Sequence, residues 1–472
     1  MYNKESLEHF GVTENQLINV LSAALEKGGD YADMFFEHTV ANNLSLQDSA
    51  VNKTSSNIDF GVGIRVVSGD RTGYAYTETV TPEDMLKAAH TAARIAESGK
   101  ILTPVALTVN ANNNNFYRIE KEWDTLSVAD KVPYLQSIND KLFVADQRII
   151  KVTAWLNDAT TRVMFCNSEG QFYWDERPLA LIGAQCIMEV GGRRESNSTT
   201  RSLRMGAEFL TSQMIDTMVS ELIDKTQILF EAIKPHGGEM PVVMGAGGSG
   251  ILLHEAIGHA FEADFNRKNI SIFSECLGKK ICDASINIVD DGTVAFNRGA
   301  VNIDDEGVAG QKTYIVSNGV LTNYLHDRIS ARHYGVCPTG NGRRESFRNM
   351  PVPRMRATYM ESGFYSEEEI ISAVKHGVYV SNFSNGQVEI GAGDFTFFVK
   401  NGYLIENGRL TQPLKDINII GNGPQALADV TMTGSNFMMD EGSWTCGKDG
   451  QSCPVSLGMP SVLVGKLTVG GE

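Results

Sequence analysis

The sequence predicts an α+β fold in two parts. Residues 1–235 form an N-terminal part that mixes helices with antiparallel hairpins. Residues 236–472 form a C-terminal part that is mostly antiparallel β, with one metal-binding helix packed on it. Three observations predict this. Stretches of helical and strand periodicity alternate up to about Glu231, where Lys234-Pro235-His236-Gly237-Gly238 breaks the last long helix. Beyond that break, turn signals separate short apolar runs, and only Ser366 to Val374 reads clearly as a late helix. Between the two parts lies Gly245–Asp264, GAGGSGILLHEAIGHAFEAD, which sets two of the chain's nine histidines among helix-compatible apolar residues.

In chain order, Leu17, Val20, Leu21, Ala24 and Leu25 recur at helical spacing over about 13–27, ended by Gly28-Gly29. Strand-like runs follow at 31–38 and 44–48. Gly61 to Thr77 is a hairpin turning at Ser68-Gly69-Asp70. Thr81-Pro82-Glu83-Asp84 opens a helix to about Glu97, with a capping threonine, a proline at the first position and acids in the first turn. Thr103 to Asn115, with five asparagines, reads as an exposed connection. A helix over Ser127 to about Ala145 tolerates Pro133. Strands occupy Arg148 to about Arg204 around a turn at Asn167-Ser168-Glu169-Gly170, and helix returns over Met205 to about Glu231. Pro241–Met244 is a buried strand feeding the glycine turn, where Ser249 is placed to cap the histidine helix. Asn401-Gly402 and Asn407-Gly408 bracket a short strand, YLIE.

Composition bounds the function. A chain of 472 residues can bury large cores, and a net charge of −16 argues against direct nucleic-acid contact, which usually carries a basic surplus. The start of the sequence lacks a basic segment followed by an apolar run, and no apolar stretch approaches the ~18 residues of a membrane span, so a cytoplasmic location is expected. Seven scattered cysteines, an odd number, do not make a disulfide framework.

The chemistry concentrates at His254, Glu255 and His259. Two imidazoles on one helix can bind zinc while the neighbouring glutamate activates a water. The histidines stand five apart, about 140° around a regular helix, so an ordinary helix would splay them. One wide turn with hydrogen bonds reaching five residues back would restore a common face, and Gly258 would ease it for want of a Cβ. The bland alternative is two satisfied histidines on an amphipathic helix. Two imidazoles need a third ligand; Cys446 and, seven residues on, Cys453 both qualify. Glu262 and Asp264 are candidates for ligand or supporting carboxylate, and read more simply as surface or capping charges. Thr339–Arg356 carries five arginines and is either a solvated loop or a lid whose guanidinium groups take a peptide carboxylate. Gly247-Gly248-Ser249-Gly250 lacks the Lys-Ser/Thr pair of a phosphate loop.

These residues resemble the TldD/PmbA (TldE) metalloprotease family, once described as modulators of DNA gyrase. The resemblance rests on HEAIGHAFEADFNRK at His254–Lys268, GDFTFFVKNGYLIENGRLT at Gly393–Thr411, TCGKDGQSCPV at Thr445–Val455 and KLTVGGE at Lys466–Glu472, and spans nearly the whole chain. It implies a zinc-dependent peptidase acting on unfolded peptides and small proteins. It also implies one ion per chain on His254, His259 and Cys446, with Glu255 as general base. Because the motif is intact, the sequence resembles the catalytic partner of a TldE-type subunit; a dimer is expected, either of two copies or with such a subunit. The runner-up function is a non-catalytic assembly or peptide-binding subunit with a structural zinc. Iron or cobalt could also sit on two imidazoles and a thiolate.

Overall fold

The structure is a computed structural model that describes residues 4–96, 101–109, 114–389 and 392–470. After α1 (Lys4–Phe10) and α2 (Glu14–Ala24) come the long strands β1 (Tyr31–Gln47) and β2 (Ala50–Ser68), then β3 (Arg71–Thr77) and α3 (Pro82–Ala93). A short β4 (Thr108–Val109) and α4 (Val128–Ala145) precede β5 (Ile149–Asn167), β6 (Gln171–Val190), β7 (Arg193–Leu203) and α5 (Ser212–Gln227). The strands form one sheet in the order β3-β2-β1-β5-β6, with β6 also pairing β7 and β4. Capping matches the sequence: Thr13, Thr81 and Ser127 each accept a hydrogen bond from the backbone of the first turn they precede. Pro133 lies inside α4. Glu97, Asn110, Asn112 and Asn113, on which parts of the sequence expectations fall, lie outside the described residues.

Where two runs at 31–38 and 44–48 were expected, β1 is one continuous strand of 17 residues. Its two ends serve different cores. α2 and α3 cover one end of the sheet with Leu17, Leu21, Met85 and Ala89 against Met34, Phe36 and Ile64. At the other end α4 and α5 put Leu135, Ile138, Met218 and Leu222 against Leu44, Leu46 and Ile182. Between the cores, 38–43 is half-buried and polar, which is why the apolar pattern breaks there while the backbone ladder does not.

The second half begins at β8 (Gly238–Met244), passes through a π-helix (Leu252–Gly258) and α6 (Ala263–Arg267), and continues with β9 (Ile288–Asp291), β10 (Lys312–Ser317), β11 (Val320–Leu321) and α7 (Arg328–Tyr334). Then come β12 (Gly342–Arg343), β13 (Val352–Pro353), β14 (Ala357–Met360), α8 (Glu367–Ser372), β15 (His376–Glu389), β16 (Asp394–Glu406), β17 (Arg409–Leu414) and β18 (Ile417–Asn422). The chain finishes with α9 (Gly423–Ala428), β19 (Val430–Thr433), β20 (Met438–Met439), β21 (Thr445–Lys448), β22 (Gln451–Pro454), β23 (Ser456–Met459) and β24 (Val462–Gly470). YLIE is the end of β16 rather than a separate strand; Asn401-Gly402 lies within the ladder, and the Asn401 side chain is buried on the Lys225 carbonyl. The helices α6, α7 and α9, with only five to seven residues each, are too short to show a period in the sequence.

The strands β15, β8, β24, β18 and β16 close on themselves, because β15 pairs with both β8 and β16, and make a barrel. Beside it stands a sheet ordered β11-β10-β9-β14-β23-β20, and β21 with β22 form a separate ribbon. Between the named strands of this half, pairing is antiparallel apart from β8–β15 and β14–β23; in the first half β4 pairs β6 in parallel. One apolar core joins the barrel to the π-helix: Val242, Val378, Phe395, Ile417 and Val464 pack with Leu253, Ala256 and Ile257. The two halves meet through buried ion pairs, Arg65 with Asp33 and Glu306, and Arg177 with Asp175 and Asp305.

Candidate metal centre

β8 leaves the barrel, and the chain reverses at Gly247, whose φ of 82° suits a residue without a Cβ. A 3₁₀ turn over Gly248–Gly250 leads into the π-helix. The wide turn that the five-residue spacing demands is present: the N–H of His259 donates to the carbonyl of His254, five residues back. Gly258 contributes, as expected, through its missing Cβ. Its φ of −61° and ψ of −48° are ordinary helical values, so it supplies space rather than backbone freedom. A Cβ there would lie 2.3 Å from Met355 Sδ and 2.8 Å from the Leu253 carbonyl oxygen. Ser249 does not cap the helix; its hydroxyl is buried and without a partner.

This turn gathers His254 and His259, and β21 adds Cys446 from nearly 190 residues away. One ligating atom from each of the three lies within 4.8 Å of the others. The imidazole centroids are 5.2 Å apart, and His259 Nε2 is 3.3 Å from Cys446 Sγ. All three side chains are buried. Both ring nitrogens of His254 are buried with no hydrogen-bond partner, an arrangement that is costly unless something binds there. Burial opposes ionisation of Cys446, but the two imidazoles outweigh it and bring the thiol down to about 4. Two imidazoles and a thiolate facing one point could hold zinc, or iron or cobalt. Glu255 is the only residue of the π-helix that is not buried.

Cys453 sits opposite Cys446 on the ribbon, yet the structure does not bring it to the imidazoles. Its Sγ lies 3.6 Å from Arg354 Nη1, and burial pushes its thiol up. Arg354 also donates to the Cys446 carbonyl, so it pins the ribbon from behind. Lys448, which sequence reasoning missed, follows Cys446 by two residues on β21 and therefore points to the same side. Glu262 and Asp264 are not surface charges: they are 0% and 6% exposed, and both bind the Lys448 ammonium. Glu262 Oε2 also lies 3.1 Å from His259 Nδ1. Burial alone would raise the Glu262 carboxyl; Lys448 and His259 reverse that and hold it at about 2. Of the Arg-rich segment only the middle is at the surface, where Arg348 pairs with Asp59 and Glu78. Arg343, Arg344, Arg354 and Arg356 are buried and donate mainly to backbone carbonyls, which makes them scaffold under the ribbon.

Comparison with known proteins agrees across the chain. Residues 237–471 match the PmbA/TldA metallopeptidase C-terminal domain, 32–96 match domain 1 and 121–230 the central domain of the same family. A metalloprotease TldD homolog from Haemophilus influenzae is 35% identical over 463 residues, covering 96% of each chain. A zinc metalloprotease TldD homolog from Saccharolobus solfataricus is 28% identical over 96% of this chain and 100% of its own. The crystal structure of TldE from Thermococcus kodakarensis superposes with a TM-score of 0.74 at 18% identity, over 97% of this chain and all of that one, and so shares the fold. With three successive domains of one family matched in order, and a relative of that identity along nearly its full length, the chain belongs to the PmbA/TldD family of metallopeptidases.

Proposed function

We propose that this protein is a zinc-dependent peptidase that hydrolyses peptide bonds of unfolded peptides or small proteins, with His254, His259 and Cys446 as metal ligands and Glu255 as general base. The observation that carries the proposal is the buried trio itself, in which one imidazole has two unpartnered nitrogens and the thiol is poised to ionise. A zinc ion held there supplies Lewis acidity toward a peptide carbonyl and toward water. Glu255 follows His254 directly and is the one residue of the π-helix that is not buried, which supports a role toward substrate. Its carboxylate takes a proton from the attacking water and returns it to the leaving amine. The name of the Saccharolobus relative supports zinc as the metal. A closed, purely structural site finds no fourth ligand in Cys453, which faces Arg354 instead.

The substrate side of the proposal draws on a cleft of about 680 Å³ that runs to Trp444, two residues before Cys446. Thr199 and Arg201 of β7, Ser381 and Phe383 of β15 and Met438 of β20 line it. Among the described residues β7 pairs only with β6 and β20 only with β23, and β15 leaves β8 after Val380. Strand edges without a further partner strand therefore border the cleft, with the Ser202 N–H of β7 already taken by the Glu441 carbonyl, and the remaining edge suits an extended peptide that adds main-chain hydrogen bonds with little regard to sequence. Membership of the PmbA/TldD family is the ground for proposing assembly as a dimer, with a second copy or with a TldE-type chain. No helix among the described residues is long and apolar enough to cross a membrane. Glu255→Ala tests the assignment: it should abolish cleavage of an unfolded peptide with zinc still bound. Full activity in that variant contradicts the role.

A further inference from the structure

We infer that Glu262 and Lys448 are a positioning pair that orients His259 for the metal, so that the β21–β22 ribbon grips this imidazole at both of its nitrogens. The inference rests on the metal site proposed above and concerns how one of its ligands is held. At one end of the ring, Cys446 Sγ lies 3.3 Å from Nε2. At the other end, Nδ1 lies 3.1 Å from Glu262 Oε2, and that same oxygen accepts from Lys448 Nζ at 3.0 Å. Cys446 and Lys448 alternate on one strand, so one four-residue element reaches both ends of the ring. The ammonium is fully committed. Its three donors go to Glu262 Oε2, to Asp264 Oδ1 at 2.7 Å and to the Pro353 carbonyl at 2.9 Å. The other Glu262 oxygen is buried with no partner, so Oε2 is the atom through which the carboxylate acts.

A carboxylate facing Nδ1 keeps the proton on that nitrogen and leaves the Nε2 lone pair free, turned toward Cys446. It also makes the imidazole a stronger donor. Lys448 fixes the carboxylate in place and compensates its charge in a buried setting, where an unpaired carboxylate would be costly. His254 has no such support, since neither of its nitrogens has a partner. The two imidazoles are therefore unequal: a carboxylate faces Nδ1 of His259, and among the described residues none faces the buried ring of His254.

Zinc affinity measured by competition with a chromophoric chelator, on the full chain, reads this directly. Glu262→Gln keeps the shape and an acceptor but removes the charge; it should bind zinc 10- to 100-fold more weakly. Lys448→Met should lose at least tenfold. Asp264→Asn, which leaves the Lys448–Glu262 contact intact, should stay within about threefold, whereas a general loosening of the buried cluster would affect all three alike. Cobalt-loaded Glu262→Gln should show a shifted ligand-field spectrum with thiolate-to-cobalt absorption retained. Should either variant fail to fold, Glu262→Asp, one methylene shorter, gives the same readout with the same expected weakening. Folded Glu262→Gln or Glu262→Asp, together with Lys448→Met, binding zinc within twofold of the unaltered protein would overturn the inference. His259→Ala and Cys446→Ala run alongside keep the two levels apart. If they too bind zinc normally, the site assignment itself fails; if they lose zinc while the Glu262 and Lys448 variants keep it, only the positioning role falls.

Discussion

Gly258→Ala is the sharpest probe of the wide turn. The added Cβ would lie 2.3 Å from Met355 Sδ and 2.8 Å from the Leu253 carbonyl, where ordinary contact begins at 3.4 Å. Met355 is fully buried, so its sulfur has little room to move, and the Leu253 carbonyl belongs to the same turn. Overpacking of this kind costs about 1–3 kcal/mol, and alanine returns up to about 1 kcal/mol over glycine in a helix, so the net loss is on the order of 1–2 kcal/mol. His259 is the next residue, and a shift of the turn moves its ring relative to His254. A loss of metal affinity of about tenfold corresponds to 1.4 kcal/mol, the same scale as the strain. Thermal melting of the metal-free variant and zinc competition should both register it, with a melting point lowered by a few degrees and at least tenfold weaker binding. Adding Met355→Ala should recover part of the affinity by removing the shorter contact while leaving the carbonyl one. If Gly258→Ala melts and binds zinc like the unaltered protein, close packing is not what holds the turn open.

Three further outcomes are expected. Cys446→Ser should leave the purified protein without stoichiometric metal while Cys453→Ser retains it, as elemental analysis will read. Arg65→Met removes the main partner of the buried Asp33 and Glu306 carboxylates, leaving Asp33 only Arg344 at 3.8 Å, and should cost about 3 kcal/mol in denaturant unfolding, a loss that the further change of both acids to their amides would reduce. Glu37 is buried, accepts from Thr39 Oγ1 and the Phe347 N–H, and has its carboxyl pushed up from 4.5 to about 7 by burial. Its neutral form favours the fold, so the contribution is full below about 4.5 and is lost as pH rises through 7, by at most about 3 kcal/mol. Glu37→Gln should therefore gain stability relative to the unaltered protein between pH 5 and 8; parallel stability curves would show the pH dependence to lie elsewhere.

Much of this was readable from the sequence because it depends on local periodicity. Helices α2, α3, α4 and α5 announce themselves by apolar spacing, and α3 also by its cap at Thr81, whereas the start of α5, expected at Met205, lies at Ser212 behind the Thr211 cap. The π-turn was legible in the histidine spacing alone, since no regular helix brings positions five apart to one face. What stayed hidden depends on contacts distant in sequence. Closure of the barrel needs β15 to find both β8 and β16, and nothing in the β15 sequence encodes a second partner. Burial of Glu262 and Asp264 could not be foreseen without Lys448, which arrives from 184 or more residues away. A signal for Lys448 did exist: it stands two residues after Cys446, so if β21 is a strand and the thiol points inward, the lysine must too. The arginines at 343–356 read as solvated because their charge is conspicuous, and Arg348 is indeed half-exposed, whereas Arg343, Arg354 and Arg356 turn inward to serve backbone carbonyls.

X-ray absorption at the zinc edge on the metal-loaded protein asks most directly whether a turn of helix and a distant ribbon share one ion. One sulfur at about 2.3 Å and two imidazole nitrogens at about 2.0–2.1 Å are expected, with the remaining scatterer a light atom. A shell without sulfur, or one with two sulfurs, would contradict the assignment of Cys446 alongside His254 and His259.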